Sequence, residues 1–133
     1  MTFGMARILL VDDEPRIVMF LEKGLRQQNH EAESALNGRQ ALEMALSKPF
    51  DLMVLDLSLP ELDGFGVLKH LRAVNKSLPV MVITARGEAD CIRAISFGAD
   101  DCLHKPFRFG ELLPRVRRLL GEGLEPSAES RAY

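Results

Sequence analysis

The sequence predicts an α/β protein: a single doubly wound, five-stranded parallel sheet flanked by five helices. Short apolar runs, Ile8-Leu9-Leu10-Val11, Leu52-Met53-Val54-Leu55 and Val80-Met81-Val82-Ile83, alternate with segments whose apolar residues recur at helical spacing. The runs are apolar throughout rather than alternating, as strands covered on both faces must be. Polar residues of matched chemistry follow them: Asp12-Asp13, Asp56 and Thr84, with Lys105 after a further strand, Asp101-Cys102-Leu103-His104.

Taken in order, each element has a local cause. After the first strand, Glu14 and Pro15 suit a first helical turn, where a carboxylate meets the dipole and a missing N–H is harmless. Ile17, Phe20, Leu21, Gly24 and Leu25 then predict a helix from about 15 to 28. His30 to Ala35 alternates weakly and reads as a short edge strand. Asn37-Gly38 turns into a second helix with Ala41, Leu42, Ala45 and Leu46 on one face, stopped near Pro49.

Beyond Asp56, Asp63 can cap a third helix with Val67, Leu68, Leu71 and Val74 inward, ending before Leu78-Pro79. A fourth helix after Thr84 places Ile92, Ile95 and Ala99 inward, and Gly98 suits a left-handed C-cap. The last helix presents Leu112, Leu113, Val116, Leu119 and Leu120. Pro114 lies within it and predicts a kink or a ragged start. Residues 1–121 form one domain in this reading, and 122–133, rich in Gly, Pro, Ser and Glu, a flexible tail or linker stub.

Composition narrows the class. At 133 residues, a single domain can bury roughly two-thirds of its unfolded surface without a disulfide or structural metal. A net charge of −2 with 47% hydrophobic residues gives no bias toward nucleic acid or membrane. No apolar run reaches the roughly 20 residues of a spanning helix. Cys91 and Cys102 fit neither a disulfide framework nor a zinc spacing and suggest a reducing, cytoplasmic setting. Arg115, Arg117 and Arg118 read as complements of a helix dipole, so no direct nucleic-acid binding is expected. His30, His70 and His104 read as surface residues, and Met19, Met44, Met53 and Met81 as packing residues.

The chemistry gathers at the strand ends. In doubly wound sheets ligands bind outside the carboxyl ends of the strands. If the first and third strands are neighbours, Asp12, Asp13 and Asp56 crowd one rim, where like charges resist ionising together unless a cation shares the site. Mg²⁺, a hard ion that takes one or two carboxylates plus phosphate oxygens, fits that set.

The ordered motifs carry a resemblance. Val11-Asp12-Asp13-Glu14-Pro15, Asp56 followed by Leu59-Pro60 and Asp63-Gly64, Thr84-Ala85, and Gly98-Ala99-Asp100-Asp101 leading to Lys105-Pro106-Phe107 together resemble the receiver domain of bacterial response regulators over about residues 5–120. The last two stretches look most like the receivers of winged-helix transcription regulators. The resemblance implies flavodoxin-like strand order 2-1-3-4-5. It implies a two-component phosphorelay switch in which Asp56 takes a phosphoryl group from a sensor histidine kinase, a phosphotransfer protein or a small acyl phosphate. Asp13, Asp56 and the backbone carbonyl of Ser58 would hold Mg²⁺, with Asp12 acting through water. Lys105 would neutralise the phosphoryl group, and the Lys105-Pro106 bond would be cis. Thr84 would be the switch hydroxyl, and Ser58 and Arg86 would tune dephosphorylation. Such a domain is no conventional enzyme, catalysing only its own phosphorylation and dephosphorylation.

Two departures stand out. Cys102 occupies the position, three before Lys105, where the family carries an aromatic switch residue; a cysteine has no ring to swing. Receivers of the winged-helix group commonly dimerise through charges on the fourth helix, fifth strand and fifth helix, of which Arg93, Asp100, Asp101, Glu111 and Arg115 are present. Cys91 replaces the basic partner expected for Glu111, which weakens the case for a homodimer. The alternative function is an Mg²⁺-dependent phosphohydrolase with an aspartyl-phosphate intermediate, but it needs a second acid where Ser58 stands. A cofactor binder needs a Ser/Thr/Gly-rich phosphate loop where Asp12-Asp13 would repel phosphate.

Overall fold

The computed structural model describes residues 5–121; the expected tail at 122–133 lies outside them. Five strands, β1 (Arg7–Val11), β2 (Glu31–Ala35), β3 (Leu52–Asp56), β4 (Val80–Thr84) and β5 (Asp101–His104), alternate with five helices, α1 (Pro15–Gln27), α2 (Gly38–Ser47), α3 (Gly64–Val74), α4 (Glu88–Ser96) and α5 (Phe109–Leu119). The sheet is parallel in the order β2-β1-β3-β4-β5, as expected. Every residue of β3 and β4 is buried, which explains their unbroken apolar character.

Alternate strand residues feed two cores. Leu9, Val11, Met53, Leu55, Val80 and Val82 pack beneath α2, α3 and α4. Ile8, Leu10, Leu52, Val54, Met81, Ile83 and Leu103 face α1 and α5. Register places Val11 against Leu55, and Asp56 against Ile83, so the residues that follow β1 and the last residue of β3 end on one rim.

Caps fix the helix starts. The side chains of Asn37 and Asp63 accept from the backbone N–H groups of Gln40 at 2.8 Å and Gly66 at 3.0 Å. Gly98, at φ 111°, takes the left-handed position after α4. At α5 the Glu111 carboxylate accepts the Arg108 N–H at 2.8 Å, and the helix runs unbroken through Pro114 rather than starting raggedly.

Several inward assignments need correction. On α1 the sheet-facing residues are Val18, Leu21 and Leu25, while Met19 and Phe20 are exposed. Phe20 instead flanks the rings of Phe107 and Phe109. On α2 the buried set is Gly38, Ala41 and Ala45, which rotates Leu46 outward, and Val74 at the end of α3 is also exposed. On α4 the buried residues are Cys91 and Ala94, so Ile92 and Ile95 face outward, one residue out of the expected phase. His30 is not a surface residue: it is buried, and its Nδ1 accepts the Ala6 N–H at 3.1 Å.

The cysteines also differ from expectation. Cys91 of α4 and Cys102 of β5 form a disulfide with Cα atoms 5.8 Å apart. Their separation of 11 residues spans the α4-to-β5 connection, which folds the helix back over the strand. Spacing alone does not reveal that approach.

Candidate functional site

Asp12 is the first residue after β1, three before the start of α1, and is almost fully buried. One carboxylate oxygen accepts the Glu14 N–H at 2.9 Å, closing the β1–α1 turn. Asp56 ends β3 at 4% exposure, and its Oδ1 accepts the Ser58 N–H at 3.3 Å. Asp13 lies exposed at the mouth. Ligand oxygens of Asp12, Asp13 and Asp56 all lie within 4.8 Å of one another.

Among the described residues, one cation faces them. Lys105 Nζ lies 2.9 Å from Asp12 Oδ2, 2.8 Å from Glu14 Oε1 and 3.6 Å from Asp56 Oδ2. Lys105 directly follows β5 and precedes a cis bond to Pro106, and its backbone N–H donates to the Thr84 carbonyl at 2.7 Å. Burial by itself would lower the Lys105 pKa, but bonds to Glu14 and Asp12 and the charge of Asp56 more than offset it and raise it. For Asp56 burial dominates and pushes its pKa up to about 6, against the attraction of Lys105 and with the repulsion of Asp12.

Thr84 is completely buried at the end of β4, one residue beyond the register partner of Asp56. Its hydroxyl accepts the Arg86 N–H at 2.8 Å. Arg86 Nε donates to the Ser58 hydroxyl at 3.0 Å, joining the β3–α3 and β4–α4 loops across the rim. The expected residues thus converge, with one addition. Glu14, assigned from sequence only to a helical first turn, is a third carboxylate on Lys105; its place beside the Asp12-Asp13 pair was the available signal.

Cys102 points toward α4, as strand alternation requires, and partly lines the core on that side. It is not a free switch residue, being bonded to Cys91. The charges expected at a dimer face are engaged within the chain. Arg115 and Arg118 bind the Asp101 carboxylate at 2.8 and 2.7 Å, and Arg72 contacts Asp100 at 3.3 Å. These two α5 arginines therefore serve a specific carboxylate, not merely the helix dipole.

A doubly wound sheet of this order with an acidic rim and one facing lysine defines a class, and comparison with known proteins agrees. Residues 8–117 match the family model described as the response regulator receiver domain. The chain belongs to the response regulator receiver domain family. It is 38% identical over 125 residues to the transcriptional regulatory protein CusR of Escherichia coli, covering 93% of this chain and 55% of that one. It is 41% identical over 117 residues to PcoR, a transcriptional regulatory protein of the same species, covering 87% and 52%. The chain spans about half the length of these relatives. Among solved structures, the response regulator protein TrrA of Thermotoga maritima, in complex with Mg²⁺ and beryllofluoride, superposes with a TM-score of 0.80 at 35% identity, covering 86% and 99%. No helix among the described residues is long and apolar enough to cross a membrane.

Proposed function

We propose that this chain is a phosphoacceptor switch whose receiver unit, residues 1–121, accepts a phosphoryl group on Asp56. The observation that carries the reading is the triad of Asp12, Asp13 and Asp56 closed by Lys105. Three clustered acids, one of them with a pKa raised to about 6, are a site short of positive charge. The donor set is all oxygen, which fits Mg²⁺. Asp13, Asp56 and the Ser58 carbonyl would hold the ion, with Asp12 through water. When bound, it supplies charge neutralisation to the transferring phosphoryl oxygens.

The remaining chemistry belongs to the chain. A carboxylate oxygen of Asp56 attacks phosphorus in line; a P–O bond forms as the P–N bond of a kinase phosphohistidine, or the P–O bond of an acyl phosphate, breaks. The imidazole, protonated from solvent, stays on the kinase; from an acyl phosphate the free carboxylate departs to solvent. Lys105, already held against Asp12 and Glu14, offers its ammonium to the phosphoryl oxygens with little reorganisation. Thr84 can trade its bond to the Arg86 N–H for donation to a phosphoryl oxygen, drawing its loop toward Asp56. That preference for one arrangement of the α4–β5–α5 face over another is the signal.

The donor is a sensor histidine kinase or a phosphotransfer protein, and the setting cytoplasmic. A homodimer through α4, β5 and α5 would have to form beside Asp101, which already carries two arginines. The phosphohydrolase alternative is disfavoured by Ser58, which bonds Arg86 and offers no acid to activate water. The test is amide spectroscopy with Mg²⁺ and beryllofluoride: shifts at Thr84 and Lys105 are expected, and Asp56→Asn abolishes them. A normal response from Asp56→Asn removes the acceptor assignment.

A further inference from the structure

The fourth helix is weakly anchored. It spans nine residues and buries only Cys91 and Ala94, both small, whereas α3 buries five side chains or glycines. Its two isoleucines face outward. Hydrophobic attachment scales with buried apolar area, so besides the disulfide α4 is held chiefly by Ala94 and by the Arg93 guanidinium, 4.2 Å over the Phe65 ring of α3.

That disulfide lies next to the phosphoacceptor path. Thr84 is the register partner of His104, and His104 Nε2 lies 3.6 Å from Cys91 Sγ. Cys102, two residues before His104, shares its face of the strand. A movement of Thr84 therefore reaches the cysteine pair through one strand neighbour.

We propose that Cys91 and Cys102 form a reversible thiol–disulfide site that decides whether a change at Asp56 reaches α4. The disulfide ties α4 to β5 in one arrangement; the dithiol releases the helix. The coupling half of this proposal rests on the phosphoacceptor reading.

The chemistry is a two-electron exchange with a dithiol reductant, and its reverse with a small-molecule disulfide. Cys102 is the more exposed partner and Cys91 the buried one, so a reductant thiolate attacks Cys102 Sγ. The Cys91–Cys102 bond breaks, Cys91 leaves as a thiolate beside the His104 ring, and it takes a proton from solvent. The reductant's second thiolate then displaces Cys102, giving the protein dithiol and an oxidised, cyclised reductant. In a reducing compartment intramolecular disulfides of this kind are transient and sensory rather than structural.

The test treats the chain with glutathione disulfide or with dithiothreitol, counts alkylatable thiols by mass, and records amide spectra with and without Mg²⁺ and beryllofluoride. Two blocked thiols after oxidation and two free thiols after reduction are expected. Addition of beryllofluoride should shift Asp56 and Thr84 amides in both forms. The shifts across residues 88–96 should be at least about threefold smaller in the oxidised form. The double variant Cys91→Ser/Cys102→Ser should behave as the reduced protein under either treatment. With single variants, Cys102 in Cys91→Ser should form the glutathione mixed disulfide faster than Cys91 in Cys102→Ser. Thiols that stay free under oxidation, or equal α4 responses in both forms, overturn the proposal. Silence at Asp56 and Thr84 in every form counts instead against the phosphoacceptor reading; the thiol count then decides the site.

Discussion

Lys105 Nζ sits 2.9 Å from Asp12 Oδ2, and this pair links the end of β5 to the end of β1, with β3 and β4 between them in the sheet. With Glu14 at 2.8 Å and Asp56 at 3.6 Å, one ammonium serves three carboxylates. Removing it leaves Asp12 and Asp56 buried and unmatched. Lys105→Ala should cost about 3 kcal/mol of stability in metal-free buffer. Millimolar Mg²⁺ should restore part of that, because an ion binding only the folded state stabilises it. Denaturant unfolding with and without Mg²⁺ measures both, and phosphorylation of the variant by an acyl phosphate should slow by roughly 10²-fold.

Asp56 makes stability depend on pH. Its folded pKa, about 6, lies above the ordinary 3.8, so the folded state holds the proton more tightly. The associated stability is fully present below pH 3.8 and is lost as pH rises through 6, an interval worth roughly 3 kcal/mol. Asp56→Asn, neutral at every pH, should therefore stabilise the metal-free protein at pH 7.5 and confer little or nothing at pH 4. Lys105 keeps Asp12 and Glu14 in that variant. Thermal melts at the two pH values check the sign.

The Arg86–Ser58 bond, at 3.0 Å, draws a guanidinium across the rim beside the acceptor. On the phosphoacceptor reading, this bridge two residues past Asp56 obstructs water that approaches a phosphoryl group there. Arg86→Ala should shorten the phosphoryl lifetime several-fold, with a smaller effect for Ser58→Ala. Decay of the phosphorylated species after removal of the donor reports it.

Gly64 opens α3 against the acceptor strand. A Cβ there would stand 2.7 Å from the Asp56 carbonyl oxygen and 2.7 Å from the Leu57 Cα, both main-chain atoms with little room to yield. Gly64→Ala should destabilise the fold by about 2 kcal/mol and weaken Mg²⁺ binding, since the backbone that would shift carries Asp56. Denaturant unfolding and Mg²⁺ titration separate the two effects.

Strand ends were legible because parallel topology sends their chemistry to one rim: once Ile8–Val11 and Leu52–Leu55 read as buried strands, Asp12 and Asp56 fell on that rim, and the adjacency of β1 and β3, implied by the family resemblance, brings them together. The phase of α4 was not. Ile92 and Ile95 outweigh Cys91 and Ala94 in hydrophobicity, yet the crowded gap over β4 and β5 accepts the smaller pair. The disulfide was hidden for a related reason, since it depends on how α4 lies over β5 and not on the number of residues between the cysteines. His30 escaped because an imidazole that accepts a strand N–H looks, in sequence, like any polar residue before an edge strand.

The most direct measurement is phosphoryl placement. Incubated with a small acyl phosphate and Mg²⁺, the chain should gain one phosphoryl group, labile to hydroxylamine and mapped to the peptide containing Asp56. Asp56→Asn should gain none. A phosphoryl group on any other residue, or equal labelling of Asp56→Asn, contradicts the account.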